Sequence, residues 1–153
     1  MAENYGTNDF TFREADENWN YYVLNKSCII CGQSFGKEPY DEETALRLMM
    51  HKNIEFAEYI SEVNKYLKWL GGDCKDVLIN GLCEHINEYS TVTVEELVET
   101  KWYEELKIYS VLITVTKDGK VGADMSFADN YDTGHILDIG LLEDKICEIG
   151  YDG

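Results

Sequence analysis

The sequence predicts an α+β fold: an antiparallel β-sheet, made of an N-terminal hairpin and a C-terminal meander, packed against a central run of about two to four α-helices. Three observations carry this. Aromatic and branched residues crowd the first thirty positions, apolar residues recur at helical steps through the middle, and strict alternation returns after Lys107.

The N-terminal part reads as strands. Phe10-Thr11-Phe12 is short. Trp19 to Leu24 and Cys28 to Cys31 are separated by Asn25-Lys26-Ser27, which suits a hairpin turn. Gly32 to Pro39 reads as a loop.

From Asp41 the period becomes helical. Asp41 is an N-cap candidate, and Glu42 and Glu43 follow at the positive end of the helix dipole. Leu46, Met49, Met50, Phe56, Ile60, Val63, Leu67 and Leu70 recur at three- and four-residue steps, either as one long helix or as two with a break near His51 to Asn53. Gly71-Gly72 is the expected stop. Asp73 is expected to cap a second helix with Val77, Leu78, Leu82, Ile86 and Tyr89 on its inner face. Thr93-Val94-Glu95-Glu96 has capping-box spacing and opens a third helix through about Tyr103.

The meander is expected from about Lys107 to Tyr151. Tyr109, Val111, Ile113 and Val115 share one face of a long strand. Lys117-Asp118-Gly119-Lys120 is a hairpin turn of type I′ composition. Val121, Ala123, Met125 and Phe127 alternate with Gly122, Asp124 and Ser126, the pattern of a half-buried strand. His135 to Gly140 and Lys145 to Ile149 supply two more strands.

Bulk properties bound the function. The 153 residues suit a single domain, spanning 1–153, with no linker or internal repeat. A composition of 44% hydrophobic and 12% aromatic residues supports a packed core. Thirteen basic against thirty acidic residues give a net charge of −17. That charge disfavours nucleic acid and anionic membranes as partners and favours a basic protein partner, met by steered association. The N-terminus lacks signal-peptide organisation and no apolar run is long enough to span a bilayer. Five irregularly spaced cysteines fit a reduced, cytoplasmic chain.

Chemistry-bearing motifs are sparse. Cys28-Ile29-Ile30-Cys31-Gly32 is half of a zinc knuckle, but no second pair completes it, and Cys74, Cys83 and His85 would have to come from helices. The strand context places Cys28 and Cys31 on opposite faces, so no metal or other cofactor is assigned. His51, His85 and His135 lack metal-binding helical spacing, and no phosphate loop, dinucleotide fingerprint or nucleophile elbow is present. The remaining feature is an acidic cluster, Asp124, Asp129, Asp132, Asp138, Glu143 and Asp144, expected on the wet face and loops of the meander. Tyr131 and Tyr109 lie among them as candidate interface anchors.

The stretch Phe127-Ala128-Asp129-Asn130-Tyr131-Asp132-Thr133-Gly134-His135-Ile136-Leu137-Asp138 resembles a motif of a bacterial family, the domain of unknown function 2262. Tyr5-Gly6, Trp19, Trp102 and the terminal Ile149-Gly150 follow in the family's order, although Asp138 stands where the family tends to carry an apolar or small residue. The resemblance implies an immunity-type protein of bacterial polymorphic-toxin or contact-dependent inhibition systems, with Gly134 and His135 as matching positions. The expected function is therefore neutralisation of a cognate, basic toxin, such as a nuclease, without catalysis. Its partner-binding residues would be Asp124, Asp129, Tyr131, Asp132, His135, Asp138, Glu143 and Asp144. A general acidic interaction or regulatory domain is the alternative. A metal-dependent enzyme using the C-terminal carboxylates and His135 is a third reading.

Overall fold

The computed structural model describes residues 4–87, 93–130 and 134–152. The fold is α+β. Nine strands are described: β1 Phe10–Ala15, β2 Trp19–Leu24, β3 Cys28–Ile30, β4 Gln33–Phe35, β5 Arg47–His51, β6 Lys107–Val115, β7 Val121–Ala128, β8 Ile136–Leu142 and β9 Lys145–Asp152. Three α-helices, α1 Phe56–Lys68, α2 Lys75–Ile86 and α3 Val94–Glu99, lie between β5 and β6. Seven strands form one sheet in the order β1-β2-β5-β6-β7-β8-β9, and β3 and β4 pair separately.

The meander forms as alternation requires. Register makes a continuous inner row, Phe12, Tyr22, Leu48, Ile113, Ala123, Leu141 and Ile146, one residue from each strand. Helix residues Val63, Leu67, Leu70, Leu78, Leu82 and Ile86 share one core with the buried members of this face. The described helices between β5 and β6 thus pack their buried residues on the same side of the sheet.

The segment 41–51 departs from expectation. It is not helical: Arg47–His51 is β5, a central strand paired antiparallel to β2 and parallel to β6. The sheet is therefore mostly antiparallel with one parallel ladder. Asp41 does cap, but it caps a turn, its Oδ1 accepting from the backbone N–H of Glu43 at 2.9 Å and of Thr44 at 3.1 Å. These bonds hold the Asp41 carboxyl below the usual carboxylate range. The break expected at His51 to Asn53 is where strand gives way to helix.

Further differences are local. Asn25-Lys26-Ser27 does not close a β2–β3 hairpin, because β2 takes β1 and β5 as neighbours. The loop expected over Gly32–Pro39 contains β4. Gly71-Gly72 does not terminate the helix. The chain continues through a π-helix, Trp69–Asp73, into α2, whose N-cap is Cys74 and not Asp73. The π-turn releases carbonyls that the β3–β4 turn takes up: Cys31 N–H donates to Leu70 O at 2.8 Å and Gly32 N–H to Gly71 O at 2.7 Å. Tyr89 lies outside the described residues.

Thr93 caps α3 by accepting from Glu96 N–H at 3.1 Å. The helix stops at Glu99, short of Tyr103. Lys101 takes a left-handed φ of 56°, and Lys101 and Trp102 N–H donate to Val98 and Leu97 carbonyls, a Schellman ending. The β6–β7 turn is also not type I′. Gly119 N–H donates to Thr116 O, and only Gly119 (φ 80°) is left-handed, which is a type I turn followed by a bulge. A register shift between Ile108 and Ser110 removes Tyr109 from the inner face that Val111, Ile113 and Val115 share, leaving it 42% exposed.

Candidate binding groove on the open sheet face

The side of the sheet opposite the helices is built by the alternate residues of the same strands. Register gives an outer row of Thr11, Val23, Arg47, Leu112, Asp124, Gly140 and Glu148. Beside it runs a second row of Ser110, Ser126, Asp138 and Gly150. From Arg47 onward the outer row, together with the second row, lines a groove of about 910 Å³, to which His85 of α2 and Cys147 also contribute. Three carboxylates and one guanidinium therefore face the same space.

The floor is shaped by glycine. A Cβ at Gly140 would stand 3.1 Å from Asp124 Oδ1, 3.4 Å from Cys147 Sγ and 3.5 Å from Glu148 Cβ. Cys147 reaches this point because the β8–β9 register slips by one residue between Gly140 and Leu141, so the bulged strand sets both Cys147 and Glu148 against Gly140. At Gly150 a Cβ would meet nothing within 4 Å.

Electrostatics distinguish the carboxylates. Asp138 Oδ1 accepts from Ser126 Oγ at 2.6 Å. Asp124 has no such donor among the described residues. Desolvation, and then the neighbouring Glu148 charge, push its carboxyl above the usual range, with Arg47 opposing. A carboxyl raised in the folded state stabilises the fold below its unfolded value, 3.8, and that contribution is lost as pH rises through the folded value. Asp124→Asn is therefore expected to be more stable than the native protein at neutral pH and to lose that advantage below pH 3.8. Urea titrations across pH measure this, and equal stabilities at neutral pH would refute it.

The expected site residues separate in space. Asp124 and Asp138 meet in the groove. Asp129 does not belong to a wet face: it is 6% exposed, and its Oδ2 accepts from Trp102 Nε1 at 2.5 Å and from the Tyr151 hydroxyl. It ties the end of β7 to the segment after α3 and to β9. His135 is exposed in the turn before β8, one residue ahead of the strand it was expected to begin. Gly134 is outside the left-handed region, so its φ needs no glycine. Glu143 and Asp144 are exposed in the β8–β9 turn, away from the groove, and line a shallower cleft with Tyr66, Trp69 and Lys120. Tyr131 and Asp132 lie outside the described residues. Tyr109 stands apart, its ring beneath the Lys107 ammonium at 5.5 Å, beside a cleft formed with the β3–β4 hairpin.

Sequence reasoning missed Arg47, Ser110, Ser126, Gly140, Cys147 and Glu148. For Arg47 a signal existed: Arg47, Met49 and His51 alternate with Leu48 and Met50 at period two.

The cysteines form a different arrangement from the expected half-knuckle. Cys28 is buried, and desolvation pushes its thiol up to about 12. Cys31 sits left-handed at the β3–β4 turn (φ 53°), and its thiol lies near that of Cys74, whose Sγ contacts Leu70 O at 3.5 Å and the Tyr103 hydroxyl at 3.9 Å. That contact raises Cys31 and lowers Cys74. Among the described residues, no three His, Cys, Asp or Glu side chains converge as a metal site. No described helix is long and apolar enough to cross a membrane.

Compared with known proteins, the chain matches no family model, no curated protein and no solved structure.

Proposed function

We propose that the protein is an immunity-type inhibitor that binds a cognate, basic bacterial toxin domain, such as a nuclease, and blocks it. The observation that carries this reading is the open sheet face: a groove of about 910 Å³ containing Asp124, Asp138 and Glu148, on a chain of net charge −17 whose described helices pack their apolar sides on the other face, with His85 of α2 reaching the groove. Such a face attracts a cationic surface from a distance and leaves a concave surface for close packing. The resemblance of the segment 127–138 to the domain of unknown function 2262 supports the same reading.

The test begins with recovery of the partner from the native host and continues with association kinetics over a salt series. Charge reversal at Asp124 and Glu148 is expected to slow association by about tenfold at low ionic strength and to have little effect at high salt. A neutral or acidic partner, or a rate indifferent to salt, would remove the electrostatic basis. Turnover of a small substrate by the isolated protein would replace the inhibitor reading.

A further inference from the structure

We infer that Cys31 and Cys74 form a redox modification site, a buried dithiol that hydrogen peroxide converts to a disulfide stapling the β3–β4 hairpin to the start of α2. This goes beyond the reading of the protein as an inhibitor and uses neither the groove nor its carboxylates.

Two geometric observations carry it. The first is convergence. Leu70 O accepts from Cys31 N–H at 2.8 Å and contacts Cys74 Sγ at 3.5 Å, so one carbonyl gathers both cysteines. Cys74 Sγ also meets the Tyr103 hydroxyl at 3.9 Å, and the Cys31 thiol lies near both groups. Both cysteines are almost fully buried. Burial alone acts on the thiol of Cys28, which stands outside the pair.

The second observation is the backbone at Cys31. Cys31 and Gly32 form a two-residue turn between Ile30 and Gln33, with φ of 53° and 76°. Two left-handed residues are the mark of a type I′ turn, whose first position favours Asn, Asp or Gly. A cysteine there holds an unfavourable backbone conformation. The turn does not account for a cysteine; the place its side chain takes beside Cys74 does.

The two thiols are chemically unequal. Their contact lowers Cys74 and raises Cys31, so Cys74 supplies the attacking thiolate and Cys31 resolves the product. The Cys74 sulfur attacks one peroxide oxygen and the O–O bond breaks. A sulfenic acid forms, and the departing hydroxide takes the Cys74 proton as water. The Cys31 sulfur then attacks the sulfenic sulfur and the S–O bond breaks. The hydroxide that leaves takes the Cys31 proton as a second water. Two thiols have lost two electrons, and one peroxide has become two waters.

Peroxide enters through the turn. Two backbone bonds hold it down, Cys31 N–H to Leu70 O and Gly32 N–H to Gly71 O at 2.7 Å, and Gly32 is already exposed. β3 and β4 pair only with each other, so local opening of this turn uncovers the thiols while the seven-stranded sheet stays intact. The disulfide closes the chain over residues 31–74, which contain β4, β5 and α1, and restricts the unfolded state accordingly.

The experiment treats the folded native chain with hydrogen peroxide, blocks remaining thiols with iodoacetamide, digests without reductant and maps cross-linked peptides by mass spectrometry. The expected product is an intramolecular Cys31–Cys74 cross-link, reversed by dithiothreitol. Its thermal midpoint is expected to lie about 10 °C above that of the reduced protein. Cys74→Ser is expected to abolish both the cross-link and the shift, and Cys147→Ser to change neither. Should Cys74→Ser fold poorly, the peptide map of the native chain decides alone. A cross-link through Cys28, Cys83 or Cys147 instead overturns the site. So does a sulfenic or sulfinic acid on Cys74 with Cys31 still free, and so do thiols inert in the folded chain. An oxidised protein no more stable than the reduced one overturns the staple. None of these outcomes touches the inhibitor reading, which stands or falls with the partner recovered from the host.

Discussion

Trp102→Ala is expected to cost about 3–5 kcal/mol of folding stability, the largest loss from any single substitution considered for this chain. Trp102 is the largest fully buried side chain. Its backbone N–H closes the Schellman ending of α3 on Leu97 O at 3.0 Å, and its indole N–H donates to Asp129 Oδ2. One residue thus fills a core volume, fixes where α3 stops and anchors the end of β7. Trp102→Phe separates these roles. It keeps most of the apolar contact and the backbone bond but removes one donor from a buried carboxyl, and is expected to cost about 1–3 kcal/mol. Denaturant titration reads both, as a lower midpoint with an unchanged slope. A loss below about 1 kcal/mol for the alanine variant would contradict the packing described.

Leu48→Ala is expected to cost about 2–5 kcal/mol, and Met49→Ala well under half as much. Leu48 is fully buried at the centre of the inner row, between Tyr22 and Ile113, whereas Met49 faces the open side between Tyr21 and Thr114. The contrast between adjacent residues follows from period two. Equal losses at the two positions would argue that 47–51 is not a half-covered strand.

This second prediction touches the largest misreading of the sequence. The C-terminal meander was legible because Val121, Ala123, Met125 and Phe127 alternate cleanly and Asp118-Gly119 marks the turn between strands adjacent in the chain. The segment 46–51 was not, because Leu46, Leu48, Met49 and Met50 are dense enough to satisfy helical and alternating periods together. What decides between them is pairing with β6, which lies beyond all three helices and leaves no local trace. The same physics explains the site. Asp124 and Asp138 were recognised from a strand with one wet face. Asp129, flanked by Ala128 and Asn130, carries no sign of burial, since Trp102 and Tyr151 reach it from distant parts of the chain. Arg47 was lost with its strand. Glu148 and Cys147 were lost because a bulge sets them against Gly140, and bulges are not written in composition.

The one parallel ladder has a thermodynamic consequence. It is the seam between an N-terminal half, β1-β2-β5, and a C-terminal half, β6-β7-β8-β9, each antiparallel within itself. The groove straddles that seam, with Arg47 on one bank and Asp124 and Glu148 on the other. A ligand spanning both banks binds only when the halves are joined, so by linkage its binding free energy adds directly to the cohesion of the seam. Occupancy of the groove and integrity of the sheet are then one equilibrium, and the bound protein is the harder one to pull apart.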